Sequence, residues 1–329
     1  MGGAVFDKCR CVFGFEGVND IFSIKNESRS TKAIISIIIA VYFILCILYF
    51  ALHGNEGIRG SFESFDNDDV KYLRSAWTLL ESGRYTYKNP DIDTVFIMPG
   101  LTTLLAGFVA VFGKYPLLQF KLFQAVLGCA CLYLIFLIGR KIFGTRVGLI
   151  SAAIMALYAP SIYVTGTILT EVSFYFLFLM TFLYSVYAIE TSEMKYYILG
   201  GVFLGLAVLF RPTVILFPIV ILAIWMIKKY RFKDMVKFAV AVIGVVSLIL
   251  MPWIIRNAVL FGEFIPLTKA SGNPAFQGTF INYDQSVRDC EGIDYYNKIS
   301  EQSDIHVLKY VCDERVDNAM ELKMTLIRF

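Results

Sequence analysis

Seven apolar runs, at residues 33–52, 117–138, 147–165, 172–189, 196–210, 213–227 and 236–255, constrain this chain more than any other feature of its sequence. The first, "AIISIIIAVYFILCILYFAL", is 20 residues long. At 1.5 Å rise per residue that is the length of helix needed to cross a hydrocarbon core of about 30 Å. Composition agrees: 57% of residues are hydrophobic and 17% charged, with a mean hydropathy of +0.64. Such a chain reads as an all-α polytopic membrane protein. The first run follows a polar, basic segment (1–32) and is too long for the core of a cleaved signal, so it reads as an uncleaved first span with a cytoplasmic N-terminal segment before it. Runs five and six joined would be 32 residues, too long for one span, and "RP" interrupts them at Arg211 and Pro212. A hairpin turning there is expected.

Sidedness depends on the run "FIMPGLTTLLAGFVAVF" at 96–112. If it does not cross, Arg140, Lys141 and Arg146 share the cytoplasmic side with Lys228, Lys229, Arg231, Lys233 and Lys237, as the positive-inside rule prefers. If it crosses, all eight face outward. It is therefore read as an interfacial or re-entrant helix, leaving 53–116 as one external segment. Within that segment "DVKYLRSAWTLLESG" (69–83) puts Val70, Leu73, Trp77 and Leu80 on one helical stripe, which predicts a second amphipathic helix. The organisation expected is a membrane core over 33–260 with about seven spans, followed by an external C-terminal segment over 261–329.

On this topology one membrane face collects the chain's notable charges. "SFESFDNDDVKYL" places Asp66, Asp68 and Asp69 just beyond the first span. Glu171 stands at the external mouth between the third and fourth spans, Arg211 caps the next external turn, and Arg256 and Asn257 follow "MPWII". Ionisable groups at the hydrocarbon edge are costly and mark a candidate site. Each also has a plainer reading. The aspartates could form a solvated helix start, Glu171 could stabilise a helix N-terminus, and the arginines could snorkel as topology anchors.

The order of these features resembles the GT-C membrane glycosyltransferases, in particular the family of protein O-mannosyltransferases and of bacterial enzymes that move aminoarabinose or other sugars from polyprenyl phosphate carriers. Family members open the first external loop with an Asp-Glu pair, a Tyr and a helix ending in a "G-x-Y" turn. Asp68, Asp69, Tyr72 and "SGRYTY" match, with Asp at 69 in place of Glu. Pro99 to Gly113 is similar to the family's interfacial helix, although "FIMPG" stands where "K-P-P" is frequent. "GRKIFGTRVGLISAAIMALYAPSIYVTG" (139–166), Glu171, "LFRPT" (209–213) and "PWIIRNAVLFGEFIPLT" (252–268) follow in family order. The likeness covers about 33–275. Members usually continue with further spans after this point, so the chain ending in "MELKMTLIRF" reads as C-terminally truncated.

The resemblance implies a GT-C-like helix bundle that transfers a sugar from a polyprenyl-phosphate-linked donor to a hydroxyl on a lipid, glycan or protein acceptor, at the outer face of a bacterial or archaeal plasma membrane. It assigns the base to Asp68, with Asp69 beside it and Glu171 as a second acid that orients the acceptor or, in some relatives, a divalent metal. Such a transfer needs a proton acceptor and cationic groups for the departing phosphate. Arg211, Arg256 and Lys269 are the candidates for the phosphate, and a single displacement implies inversion at the anomeric carbon. The carrier's tail would lie in a groove lined by the spans, among membrane lipids.

Other classes have less support. The basic residues bunch in short loops without an aromatic-interleaved patch, which disfavours nucleic-acid binding. His53 and His306 have no metal-ligand spacing, "GGVFLG" (200–205) reads as small-residue helix packing, and no serine has a matching histidine constellation. A transporter would place charges at midplane and show inverted repeats, neither of which is visible. A non-catalytic relative remains the other alternative. Cys290 and Cys312 are the pair able to form an external disulfide, while Cys46, Cys129 and Cys131 are intramembrane and Cys9 and Cys11 cytoplasmic.

Overall fold

The structure is a computed structural model that describes residues 21–269. Cys9, Cys11, Cys290, Cys312, His306 and the tail helix expected near 304–328 lie outside the described residues. Among the described residues there is no strand. The helices are α1 (Arg29–His53), α2 (Asp68–Ser82), α3 (Gly100–Phe112), α4 (Leu117–Phe143), α5 (Thr145–Leu157), α6 (Ala159–Thr165), α7 (Glu171–Thr191), α8 (Met194–Val208), α9 (Phe217–Ile227) and α10 (Phe232–Phe261). A 3-10 turn, Pro212–Leu216, leads into α9. The described residues divide into two compact units, 21–59 with 116–250 and 60–115 with 251–269.

Four helices, α1, α4, α7 and α10, are long and apolar enough to cross a membrane, and the α5–α6 pair, bent by 61°, makes a fifth candidate. The protein is thus an all-α polytopic membrane protein. Every apolar run falls on a helix or a pair of elements, yet two are shorter than a full span. The fifth is the 15-residue α8, and the sixth is the 3-10 turn plus the 11-residue α9. Pro212 lacks the amide that a continuing helix would use, and the wider rise of the 3-10 turn brings that composite to about 27 Å.

In the first unit α1 starts at Ser28, whose Oγ accepts the Thr31 amide at 3.1 Å. It then lies against α4 where Gly128 leaves room for Tyr42. A β-carbon on Gly128 would stand 2.7 Å from the Tyr42 hydroxyl, which instead donates to the Ser161 carbonyl at 3.1 Å. The α4–α5 hairpin closes through Gly139 and Gly148, and a β-carbon on Gly148 would come within 2.6 Å of the Phe136 carbonyl oxygen. Small residues let membrane helices approach this closely. Around them Phe136, Leu137, Leu183 and Tyr184 fill a core shared by α4 and α7.

The second unit is built on α2 and α3. Val70, Leu73 and Trp77 of the predicted stripe are buried, as are Leu101 and Leu105 of α3, whereas Leu80 stays 48% exposed. The Trp77 indole donates to the Lys114 carbonyl at 2.8 Å, and Arg74 Nη2 donates to the Tyr87 and Lys88 carbonyls at 2.7 and 2.8 Å. These bonds fasten the segment after α2 to its helix. The C-terminal end of α10 belongs to this unit too: Trp253 Nε1 donates to the Leu267 carbonyl and the Lys269 amide to the Val95 carbonyl.

Candidate functional site

Glu171 is the first residue of α7, and Arg211 precedes Pro212 in extended conformation, as a residue before proline prefers. The fold brings these two together within the first unit. Arg211 Nη2 donates to Glu171 Oε1 at 2.5 Å and Nε donates to Thr170 Oγ1 at 3.0 Å, while the guanidinium lies 5.7 Å from the Phe174 ring centre. Both side chains remain partly exposed, at 43% for Arg211 and 37% for Glu171. The other carboxylate oxygen, Oε2, is screened from solvent and has no hydrogen-bond partner among the described residues. A shielded acceptor without a donor is costly, and it is a place where a ligand hydroxyl gains a bond.

The pair stands in the wall of a cavity of about 290 Å³. Its remaining lining is almost entirely apolar, with Tyr42 from α1, Leu132 from α4, Met155 and Val164 from α5 and α6, and Phe174 and Tyr175 from α7. A chamber with one ionic lip and greasy walls suits a molecule with a charged head and a hydrocarbon tail.

The acids of the opening motif lie in the second unit, and their surroundings differ. Asn67 caps α2 by accepting the Asp68 amide at 2.8 Å, which leaves Asp68 exposed in the first turn. Asp69 is 4% exposed, and its Oδ1 accepts the Gly60 amide at 3.2 Å and the Val70 amide at 2.8 Å. Gly60 has to be glycine for this approach, because a β-carbon there would stand 2.4 Å from Val70 Cγ2 and 2.7 Å from Asp69 Oδ1. Asp66 accepts the Ser61 amide at 2.9 Å, and that bond is the main cause holding its carboxyl below the ordinary carboxylate range.

Arg256 and Lys269 are each engaged by a carboxylate outside the expected set. Arg256 Nη2 donates to Asp93 Oδ1 and Nη1 to the Thr94 carbonyl, both at 2.8 Å, and the guanidinium lies 4.9 Å from the Trp253 ring and 5.4 Å from Tyr85. The Lys269 ammonium donates to Glu263. Asp93 was not singled out from the sequence; "NPDIDT" marks a turn, but nothing local marks a partner so far along the chain. Lys121 was missed as well. It is 3% exposed at the fifth residue of α4, and its ammonium donates to the Gly54 carbonyl at 2.6 Å and Asn55 Oδ1 at 2.7 Å. A lysine inside an apolar run was the available signal.

Among the described residues no group of three or more His, Cys, Asp or Glu side chains could hold a metal ion, and Glu171 is already bound by Arg211. These residues do not fit a divalent cation. No curated protein and no solved structure matches the chain. A family model described as dolichyl-phosphate-mannose-protein mannosyltransferase matches residues 98–255, a stretch that includes Glu171 and Arg211 and excludes Asp68, Asp69, Arg256 and Lys269. That match, on a polytopic helical chain, supports a GT-C membrane glycosyltransferase family for this protein.

Proposed function

We propose that the protein transfers a sugar from a polyprenyl-phosphate-linked donor to a hydroxyl of a lipid, glycan or protein acceptor at the external membrane face. The observation that supports this most is the apolar chamber whose wall carries the Arg211–Glu171 pair, since the donor is an anionic phosphate on a hydrocarbon tail. The tail would take the apolar lining. Arg211 uses Nε and Nη2 on Thr170 and Glu171, and its Nη1 donors are proposed to meet the phosphate. Glu171 Oε2 would accept a hydrogen from the incoming hydroxyl or from the sugar.

In the proposed step Asp68 removes the acceptor's proton while the hydroxyl oxygen bonds to the anomeric carbon. The bond from that carbon to the phosphate oxygen breaks, and the electron pair leaves with polyprenyl phosphate, whose added charge the arginine stabilises. One displacement inverts the anomeric centre. Asp69 is proposed as a positioning residue that fixes the turn bearing Asp68. Arg256 and Lys269 are proposed as further phosphate contacts, which would exchange Asp93 and Glu263 for the phosphate.

The test is transfer in vesicles from a panel of labelled polyprenyl-phosphate hexoses and pentoses. Arg211→Ala is expected to raise the donor KM about tenfold or more, the scale of one lost charge-assisted hydrogen bond. Glu171→Gln is expected to lower kcat. A wild type that moves no sugar from any donor, or an Arg211→Ala variant with unchanged donor KM, overturns the reading.

A further inference from the structure

The first unit contains a second cavity, of about 240 Å³, between α7, α8, α9 and α10. Ala188, Tyr197, Gly201, Leu222, Trp225 and Ala239 line it. Along α9 it runs from Phe217 to Trp225, about 12 Å at the helical rise. Its rim is apolar and open, with Leu222 42%, Ile219 61% and Ile243 63% exposed. Small residues of α8, Gly200 and Gly201, form part of its wall. A β-carbon on Gly200 would meet nothing nearer than Tyr184 Cβ at 3.7 Å, and one on Gly201 nothing nearer than Val242 Cα at 3.5 Å. Those are ordinary contact distances, so the glycines pack against their neighbours and the cavity opens beside them.

One end of this slot is aromatic and basic. Trp225 Nε1 donates to the Tyr197 hydroxyl at 2.9 Å, and Tyr230 stacks on Trp225 with ring centres 6.1 Å apart. Directly beyond come Lys228, Lys229, Arg231, Lys233 and Lys237, all exposed, with Asp234 as the acid of the stretch. None of the five cations forms an ion pair among the described residues. Two nearby acids are already taken, Glu190 by Lys141 at 2.5 Å and Glu193 by Lys195 at 2.7 Å. The Tyr230 hydroxyl donates to the Ile189 carbonyl at 2.6 Å, which ties the basic loop to the junction of α7 and α8 where those acids stand.

We infer that this slot holds an acyl chain of one anionic phospholipid, whose headgroup phosphate sits on the cations of 228–237. The juxtaposition favours it: a slot with an exposed apolar rim leads to aromatic rings, of the kind enriched where membrane meets water, and then to an excess of positive charge. A topology signal alone would account for the cations, but it requires no cavity and predicts no choice among lipids. The site differs from the chamber at Glu171 and Arg211 in every lining residue.

Trp225 reports on occupancy directly. The protein is reconstituted in phosphatidylcholine vesicles doped with either phosphatidylglycerol or phosphatidylcholine carrying brominated acyl chains, and the Trp225 signal is taken as wild type minus Trp225→Phe. Brominated phosphatidylglycerol is expected to quench at about tenfold lower mole fraction than brominated phosphatidylcholine, the scale set by a few basic side chains near a surface. The double variant Lys228→Gln/Lys229→Gln should largely remove that preference. Ala239→Phe, which fills the slot, should reduce quenching by both lipids. Equal quenching by the two lipids in the wild type overturns the proposal, since it reports ordinary boundary lipid. A preference that survives loss of both lysines overturns the headgroup assignment. Displacement of brominated phosphatidylglycerol by equimolar polyprenyl phosphate assigns the slot to the sugar carrier instead and likewise overturns it.

Discussion

Asp68 and Asp69 are neighbours with opposite surroundings, and this separates what each can do. Asp68 faces solvent from the first turn of α2, while Asp69 is buried against the Gly60 amide. Replacing Asp68 with Asn keeps size and removes the proton acceptor, so transfer per folded molecule should fall at least ~10²-fold. Asp69→Ala should instead reduce folded yield, at about 1–3 kcal/mol for stranding the amides it accepts. Asp66→Asn should be nearly silent for transfer. If Asp68→Asn keeps more than about half the wild-type rate, the base assignment is lost and the turn is only a solvated helix start. Asp66 also has a pH signature. Its folded pKa is depressed, so its contribution is complete above the ordinary carboxylate value and disappears as pH drops through the folded pKa; protection of the Ser61 amide should decline only below about pH 4. The sequence makes the three aspartates look alike. What distinguishes them is a glycine nine residues upstream of Asp69, and no spacing rule encodes that approach.

At the scale of elements, periodicity and breakers carried most of the information. The hairpin at Arg211–Pro212, the helix beginning at Asp68 and the short helix after Pro99 all follow from apolar spacing, a capping residue or a proline. The 61° bend between α5 and α6 did not, because Tyr158 and Pro160 lie within one apolar run and hydropathy does not register direction. Glycine was also ambiguous from sequence alone. Gly148 permits the α4–α5 contact, whereas a β-carbon on Gly200 would meet its neighbours only at ordinary contact distances of 3.7 Å and more. Gly148→Ala is therefore expected to destabilise by about 1–3 kcal/mol through overpacking, and Gly200→Ala to be close to neutral. Thermal unfolding of the two variants in one detergent checks this; equal losses would mean that the close contact at Gly148 is not what holds the hairpin.

At the scale of the molecule, the side on which each loop lies was read from charge alone. Single cysteines at Lys88 and Lys229, in a background without native cysteines, should give labelling by a membrane-impermeant reagent at position 88 only in intact cells. Labelling at both positions would mean that α3 crosses the bilayer and that everything after it is inverted. The apolar runs made the membrane class legible, but the division into two units was not, since the second is assembled from separate stretches of chain and its ties are long-range. Its ion pair between Asp93 and Arg256 joins residues 163 apart. That separation sets a timetable for biosynthesis. At about 5–20 residues per second a ribosome takes roughly 8–30 s to travel from one partner to the other. During that interval Asp93 has been added to the chain and its arginine does not yet exist. The segment that bears Asp68 is among the first parts of the protein to be made, and it is among the last to be completed.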